Sequence, residues 1–116
     1  MKISTMQNLL EAKVLCCEEN LEREVYSACG CDLMSDVLAY VKDQAVLLTG
    51  LVNPQVIRTA VMMDMICIVF VRSKIPTQEM LTLAKENGIV VLATDKRLYE
   101  ACGLLYADGL IGNKVK

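Results

Sequence analysis

Histidine is absent from the 116-residue chain, so no mechanism that needs a neutral-pH imidazole as acid, base or metal ligand is open to it. Neither Gly-x-x-x-x-Gly-Lys-Ser/Thr nor Gly-x-Gly-x-x-Gly occurs, which removes the common phosphate cradles and counts against an NTPase or a dinucleotide enzyme. The net charge is only −2, the pI is near 5.1 and the basic residues nowhere form a block, so an electrostatic footprint for nucleic acid is missing. No apolar run approaches the roughly 20 residues that span a bilayer. The start Met1-Lys2-Ile3-Ser4, with Glu11 soon after, does not read as a signal peptide, so a cytoplasmic chain without a membrane partner is expected. In that compartment the six cysteines are expected as reduced thiols rather than disulfides.

Tryptophan is missing and phenylalanine occurs once, yet 54% of the residues are hydrophobic. So much aliphatic surface fits a sheet covered on both sides, together with a face that a second subunit covers, and a homodimer is expected. One domain, 1–116, accommodates the whole length, with no linker or low-complexity segment.

Met65-Ile66-Cys67-Ile68-Val69-Phe70-Val71 is apolar at every position, as suits a strand buried on both faces at the centre of a sheet. Similar runs at 45–49 and 89–93 flank it, spaced by about one helix and two loops, a rhythm that predicts parallel strands with crossover helices. A first strand is expected at 13–17 and a second, with a weaker signal, at 25–29. The fold class is therefore α/β, a three-layer sandwich with a mostly parallel sheet of about five strands and helices on both faces.

Ser4-Thr5-Met6-Gln7 has the spacing of a capping box for a short first helix carrying Met6, Leu9 and Leu10. Asp32 is placed to cap a helix over 33–42, with Leu33, Met34, Val37, Leu38 and Val41 on its inner side and Lys42-Asp43-Gln44 closing it. Asn53-Pro54 reads as an N-cap and first helical position for a helix to about 63, with Ile57, Ala60 and Val61 inward. Ile75-Pro76-Thr77 opens the next helix and Asn87-Gly88 stops it. Thr94-Asp95 is expected to cap the last, on which Leu98, Ala101, Cys102 and Leu105 share a face.

Two constellations carry chemistry. Cys16-Cys17 ends the first strand and Cys29-Gly30-Cys31 the second, so these four thiols meet at a zinc or iron–sulfur site if the strands are parallel neighbours. Neither pair has the usual two-residue knuckle spacing, and adjacent strand residues point to opposite faces, so small packing residues are the preferred reading and no cofactor is expected. Asp32 and Asp36, at i and i+4, read as a cap and a solvated first-turn carboxylate rather than a catalytic pair. The second constellation is the set of strand ends. Thr49-Gly50, Arg72-Ser73-Lys74 and Thr94-Asp95 fall along the carboxyl edge of the predicted sheet, each before a helix start, where a small anion or a nucleotide phosphate could be held.

Three stretches resemble the DRTGG domain, a small α/β module that occurs alone and inside phosphotransacetylases and CBS-domain pyrophosphatases. They are Arg23-Glu24-Val25 with Cys31-Asp32-Leu33-Met34-Ser35-Asp36-Val37, then Thr49-Gly50 through Asn53-Pro54, and last Gly88-Ile89-Val90-Val91 through Ala101-Cys102-Gly103-Leu104-Leu105-Tyr106. The chain departs from the family where its name is written, with Tyr26-Ser27-Ala28 in place of Thr-Gly-Gly. A Gly pair admits a ligand close to the backbone more readily than Ser-Ala does. The resemblance implies a fold related to the N-terminal domain of HPr kinase and a regulatory, dimer-forming module with no catalytic residues of its own. It also implies a partner enzyme or regulatory protein of an anaerobic metabolic system, such as those associated with iron-only hydrogenase. The alternative is a sensor binding a small anionic or nucleotide ligand at the strand ends through Asp32, Ser35, Thr49, Gly50, Asn53 and Thr94. A thiol redox or metal protein built on Cys16, Cys17, Cys29 and Cys31 is the third reading.

Overall fold

A computed structural model describes residues 1–40 and 44–111. Five strands, β1 (Lys13–Cys16), β2 (Ser27–Gly30), β3 (Ala45–Thr49), β4 (Cys67–Phe70) and β5 (Val90–Ala93), form one sheet in the order β1-β5-β4-β3-β2. β2, β3, β4 and β5 run parallel to one another, and β1 joins the edge antiparallel to β5. The sheet is thus the mostly parallel, three-layer α/β arrangement read from the sequence, and the apolar stretch around residue 68 supplies its middle strand.

The uninterrupted apolar runs are explained by two separate cores. On one face Cys67 and Val69 pack with Val46, Leu48, Val90 and Leu92 beneath α1 (Ile3–Leu10) and α5 (Leu98–Ala107). On the other, Ile68 and Phe70 pack with Leu47 and Val91 beneath α2 (Met34–Tyr40), α3 (Pro54–Met62) and α4 (Gln78–Glu86). Because alternate residues of a strand face opposite ways, β4 has no solvent face to give to a polar residue. Each such side chain contributes about 1.5–3 kcal/mol by burial.

Local signals set two of the helices. Asn53 Oδ1 accepts from the Gln55 N–H at 2.8 Å with Pro54 at the first position of α3, and Thr77 Oγ1 accepts from the Met80 N–H at 3.3 Å at the start of α4. Gly88, at φ +67°, ends α4 in the left-handed conformation that glycine adopts without a Cβ penalty.

Elsewhere contacts distant in sequence replace the expected caps. The capping box at Ser4 does not form: α1 begins at Ile3, where the N–H groups of Ile3 and Ser4 donate to the carbonyls of Arg23 and Leu21 at 3.0 and 2.9 Å. Ser4 Oγ turns away to Glu22. The segment 21–25 is drawn to the chain start in the same way, with Val25 and Met1 exchanging hydrogen bonds, so β2 begins at Ser27 rather than at 25. On α2 only Met34 and Val37 of the expected inner side are buried. Leu33 and Leu38 are exposed, and Val41, Lys42 and Asp43 lie outside the described residues. Val61 likewise sits on the outer side of α3. Among the described residues no helix is long and apolar enough to cross a membrane.

Candidate functional site

The carboxyl ends of β3, β4 and β5 meet at one edge, and a tight turn organises it. Arg72 and Ser73 have φ of 57° and 60°, and the Lys74 N–H donates to the Val71 carbonyl at 3.1 Å, the pattern of a type I′ turn built without glycine or asparagine. Two non-glycine residues in this region cost on the order of 1 kcal/mol or more each, and they persist only where neighbours fix them. Here the Arg72 N–H donates to the Lys96 carbonyl at 2.8 Å, the Ser73 N–H donates to the Thr94 carbonyl at 3.1 Å, and Ser73 Oγ donates to Asp95 Oδ1 at 2.8 Å. The β5–α5 connection therefore holds the turn that follows β4.

The turn sends Arg72 sideways over β3. Its guanidinium lies against Gly50, where an added Cβ would come within 2.8 Å of Nε and 2.9 Å of Cζ, so only glycine leaves room for it. Arg72 Nη2 reaches Asp32 Oδ2 at 3.6 Å, while Asp32 Oδ1 accepts from Thr49 Oγ1 at 2.9 Å and from the Gly50 N–H at 2.8 Å. Asp32 is thus not the cap of α2; its carboxylate has crossed to β3, and the Leu33 carbonyl accepts the first bonds of that helix. Both partners of the ion pair are about half exposed, so the pair itself is worth no more than about 1 kcal/mol.

The Gly50 N–H, then the Thr49 hydroxyl and the Arg72 charge, hold the Asp32 carboxyl below its ordinary value of 3.8. A depressed carboxyl stabilises the fold at pH values above its unfolded pKa and loses that contribution as the pH falls through the folded one. Asp32→Asn is therefore expected to reduce the stability lost between neutrality and about pH 3. Equal losses in the two proteins, read from urea midpoints, would contradict this.

The other sequence-derived candidates divide. Thr49 and Gly50 join Asp32 directly. Asn53 is engaged as the α3 cap, and Asn53→Ala is expected to lower stability by about 1 kcal/mol, measured by thermal or urea unfolding, without touching the Asp32 cluster. Ser35 stands exposed in the first turn of α2. Thr94 is buried and does not cap α5: Oγ1 donates to the Leu10 carbonyl at 2.7 Å and accepts from the Lys96 N–H at 3.2 Å, and Arg97 occupies the N-cap position instead. Arg72, expected at the strand ends but not among the six ligand-binding candidates, is the residue that joins the Asp32 cluster. Its only sequence signal is a basic residue immediately after a wholly apolar strand. Beside it, Arg72, Ser73, Asp95 and Arg97 line an open cavity of about 600 Å³. A cavity of about 620 Å³ lies at the opposite, amino end of the strands, between Arg23, Asp64 and Asn87.

The four-thiol constellation fails on topology. β1 and β2 are the two outer strands, with three strands between them, so Cys16 and Cys17 cannot approach Cys29 and Cys31. Cys16 Sγ donates to the Ile89 carbonyl at 3.3 Å, and Cys31 Sγ to the Leu33 carbonyl at 3.4 Å. Burial pushes the Cys16 and Cys29 thiols up to about 11 and also raises Cys67 and Cys102, which keeps these sulfurs protonated and unreactive near neutrality. Among the described residues no group of three or more Cys, Asp or Glu is arranged to hold a metal ion.

The family model of the DRTGG domain matches residues 5–106. The chain belongs to the DRTGG domain family. Its fold is that of a crystal structure of the CBS and DRTGG domains of the regulatory region of a Clostridium perfringens pyrophosphatase, complexed with the activator diadenosine tetraphosphate. The TM-score is 0.74 at 17% identity, over 90% of this chain and 45% of that one. This DRTGG domain therefore spans less than half the length of its structural neighbour. No curated protein sequence matches it. Set on the DRTGG fold, the Asp32 cluster lies after β3 and β4, away from Tyr26-Ser27-Ala28 at the start of β2.

Proposed function

We propose that this DRTGG domain is a regulatory and protein-interaction module without catalysis of its own, and that it works as a homodimer in the cytoplasm. The family match across 5–106 carries the reading, supported by a fold shared with the regulatory region of a pyrophosphatase. The homodimer rests on apolar surface. α5 is apolar on nearly every side, and its outer face presents Tyr99, 92% exposed, beside Gly103 and Tyr106. A helix apolar all round is one that something covers. The expected result is a sedimentation mass twice that of the 12.8 kDa chain at micromolar concentration, reverting to one chain in Tyr99→Glu combined with Tyr106→Glu. A monomer in the unsubstituted protein would overturn the dimer. The resemblance further suggests a partner enzyme or regulatory protein of an anaerobic metabolic system.

A second reading is favoured by the carboxyl edge: a sensor for a small anionic or nucleotide ligand, with Asp32, Thr49 and Gly50 at its centre, Ser35 exposed on the neighbouring helix, and Asn53 and Thr94 engaged elsewhere. The convergence of three donors on a half-exposed carboxylate supports it, as does the nucleotide activator of the pyrophosphatase regulatory region. Thermal shifts against a panel of nucleotides and metabolites test it. A ligand-dependent rise in Tm is expected of a sensor, and no shift with any compound leaves the interaction role alone.

A further inference from the structure

The Asp32 carboxylate occupies a place that has the chemistry of a ligand site. Its three donors come from two parts of the chain: the Thr49 hydroxyl and the Gly50 backbone N–H at the end of β3, and the Arg72 guanidinium after β4, at 2.9, 2.8 and 3.6 Å. Asp32 itself arrives from the loop before α2, having given up the capping role that its position offers. We infer that Thr49, Gly50 and Arg72 form a binding site for a phosphate group of a nucleotide or polyphosphate, and that Asp32 fills this site as an internal plug that the ligand displaces. This deepens the sensor reading above and rests on it.

Four observations support the inference. The guanidinium is under-used, because 3.6 Å is well beyond the roughly 2.7–2.9 Å of a good charge-assisted bond. A phosphate, with three oxygens and the geometry to meet guanidinium two bonds at a time, would satisfy the donors more fully than one carboxylate does. The missing Cβ of Gly50 is what lets the guanidinium lie over β3, and the strained turn at Arg72 and Ser73 is what aims it there. Finally, Arg72 also lines an adjoining open depression that adds the Arg97 side chain, a second positive charge on the same edge.

Local charge sets the order of events. Arg72 and Arg97 are balanced by Asp32 and by Asp95, whose carboxylate already accepts from Ser73. An anion therefore meets a neutral cluster while Asp32 is in place and a surplus of one positive charge once it has left. Because Asp32 lies two residues before α2, its release frees the start of that helix and the exposed Leu33 beside it, which gives the site a route to a partner surface.

The test is pyrophosphate titration at constant ionic strength, followed by calorimetry. Asp32→Ala, which empties the donors, is expected to bind pyrophosphate at least tenfold more tightly than the unsubstituted chain, and adding Arg72→Gln to that variant is expected to abolish the gain. Asp32→Asn keeps an oxygen for Thr49 and Gly50 but removes the charge opposite Arg72, so a gain of about threefold is expected and decides the matter should Asp32→Ala fail to fold. No gain in either variant, or a gain indifferent to Arg72→Gln, would overturn the plug. Should a panel compound stabilise the unsubstituted chain while these variants change nothing, the sensor reading survives and the plug does not. Should the variants respond as expected while no panel compound acts on the unsubstituted chain, the phosphate site and its occlusion by Asp32 stand, and displacement of Asp32 by a ligand falls together with the sensor reading.

Discussion

Phe70→Ala is expected to lower the free energy of unfolding by about 3–5 kcal/mol. Phe70 is the chain's one phenylalanine, is fully buried, and stands on the middle strand between Thr49 of β3 and Ala93 of β5. It packs into the core under α2, α3 and α4, and truncation removes the transfer energy of the ring and leaves a cavity that a sheet tied on both sides closes only in part. Whole domains of this kind are stable by about 5–15 kcal/mol, so the variant should sit close to unfolding at ambient temperature. The Phe70 carbonyl also accepts from the Thr94 N–H at 2.9 Å, which ties the strand end that leads into the Arg72 turn to the β5–α5 connection. Urea unfolding with an unchanged m-value reads the effect, and a loss under about 1 kcal/mol would show that the centre of the sheet is not where stability is concentrated.

Thr94→Val is expected to cost about 1–3 kcal/mol, although it keeps the side-chain shape. The hydroxyl links two places 84 residues apart, donating to the Leu10 carbonyl and accepting from the Lys96 N–H. Valine leaves a buried carbonyl without that donor, and the cost of stranding such a group exceeds the net gain of making the bond. Thr94→Ser, which keeps the oxygen, is expected to recover most of the loss. A ligand-binding threonine would behave differently, with stability nearly unchanged by valine and the loss confined to a ligand response. The pair of variants, followed by thermal unfolding, therefore separates the two roles.

How far the fold was legible follows from how local each signal is. The strands at 45–49 and 90–93 and the caps at Asn53 and Thr77 are written within a few residues, and the structure follows them closely. Ser4, Asp32 and Thr94 have the residue types of caps, but each spends its side chain on a group 17 to 84 residues away, and no window of sequence contains that competition. Strand order is also invisible to periodicity, which is why Cys16 and Cys29 could be imagined together although they stand on opposite edges. The candidate edge was legible because parallel strands force their ends to one side. The aim of Arg72 was not, since Arg-Ser is not a sequence signature of a type I′ turn and the conformation is imposed by bonds from Thr94, Asp95 and Lys96.

The antiparallel pairing of β1 with β5, which sets Lys13 opposite Ala93, has a kinetic meaning. The four parallel strands can assemble through consecutive crossovers, each closing a short stretch of chain. The pairing of first strand with last must instead bring together positions 80 residues apart, the costliest loop closure among the sheet's strand pairings. α1 and β1 are thus placed to dock late in folding, once β5 offers them an edge.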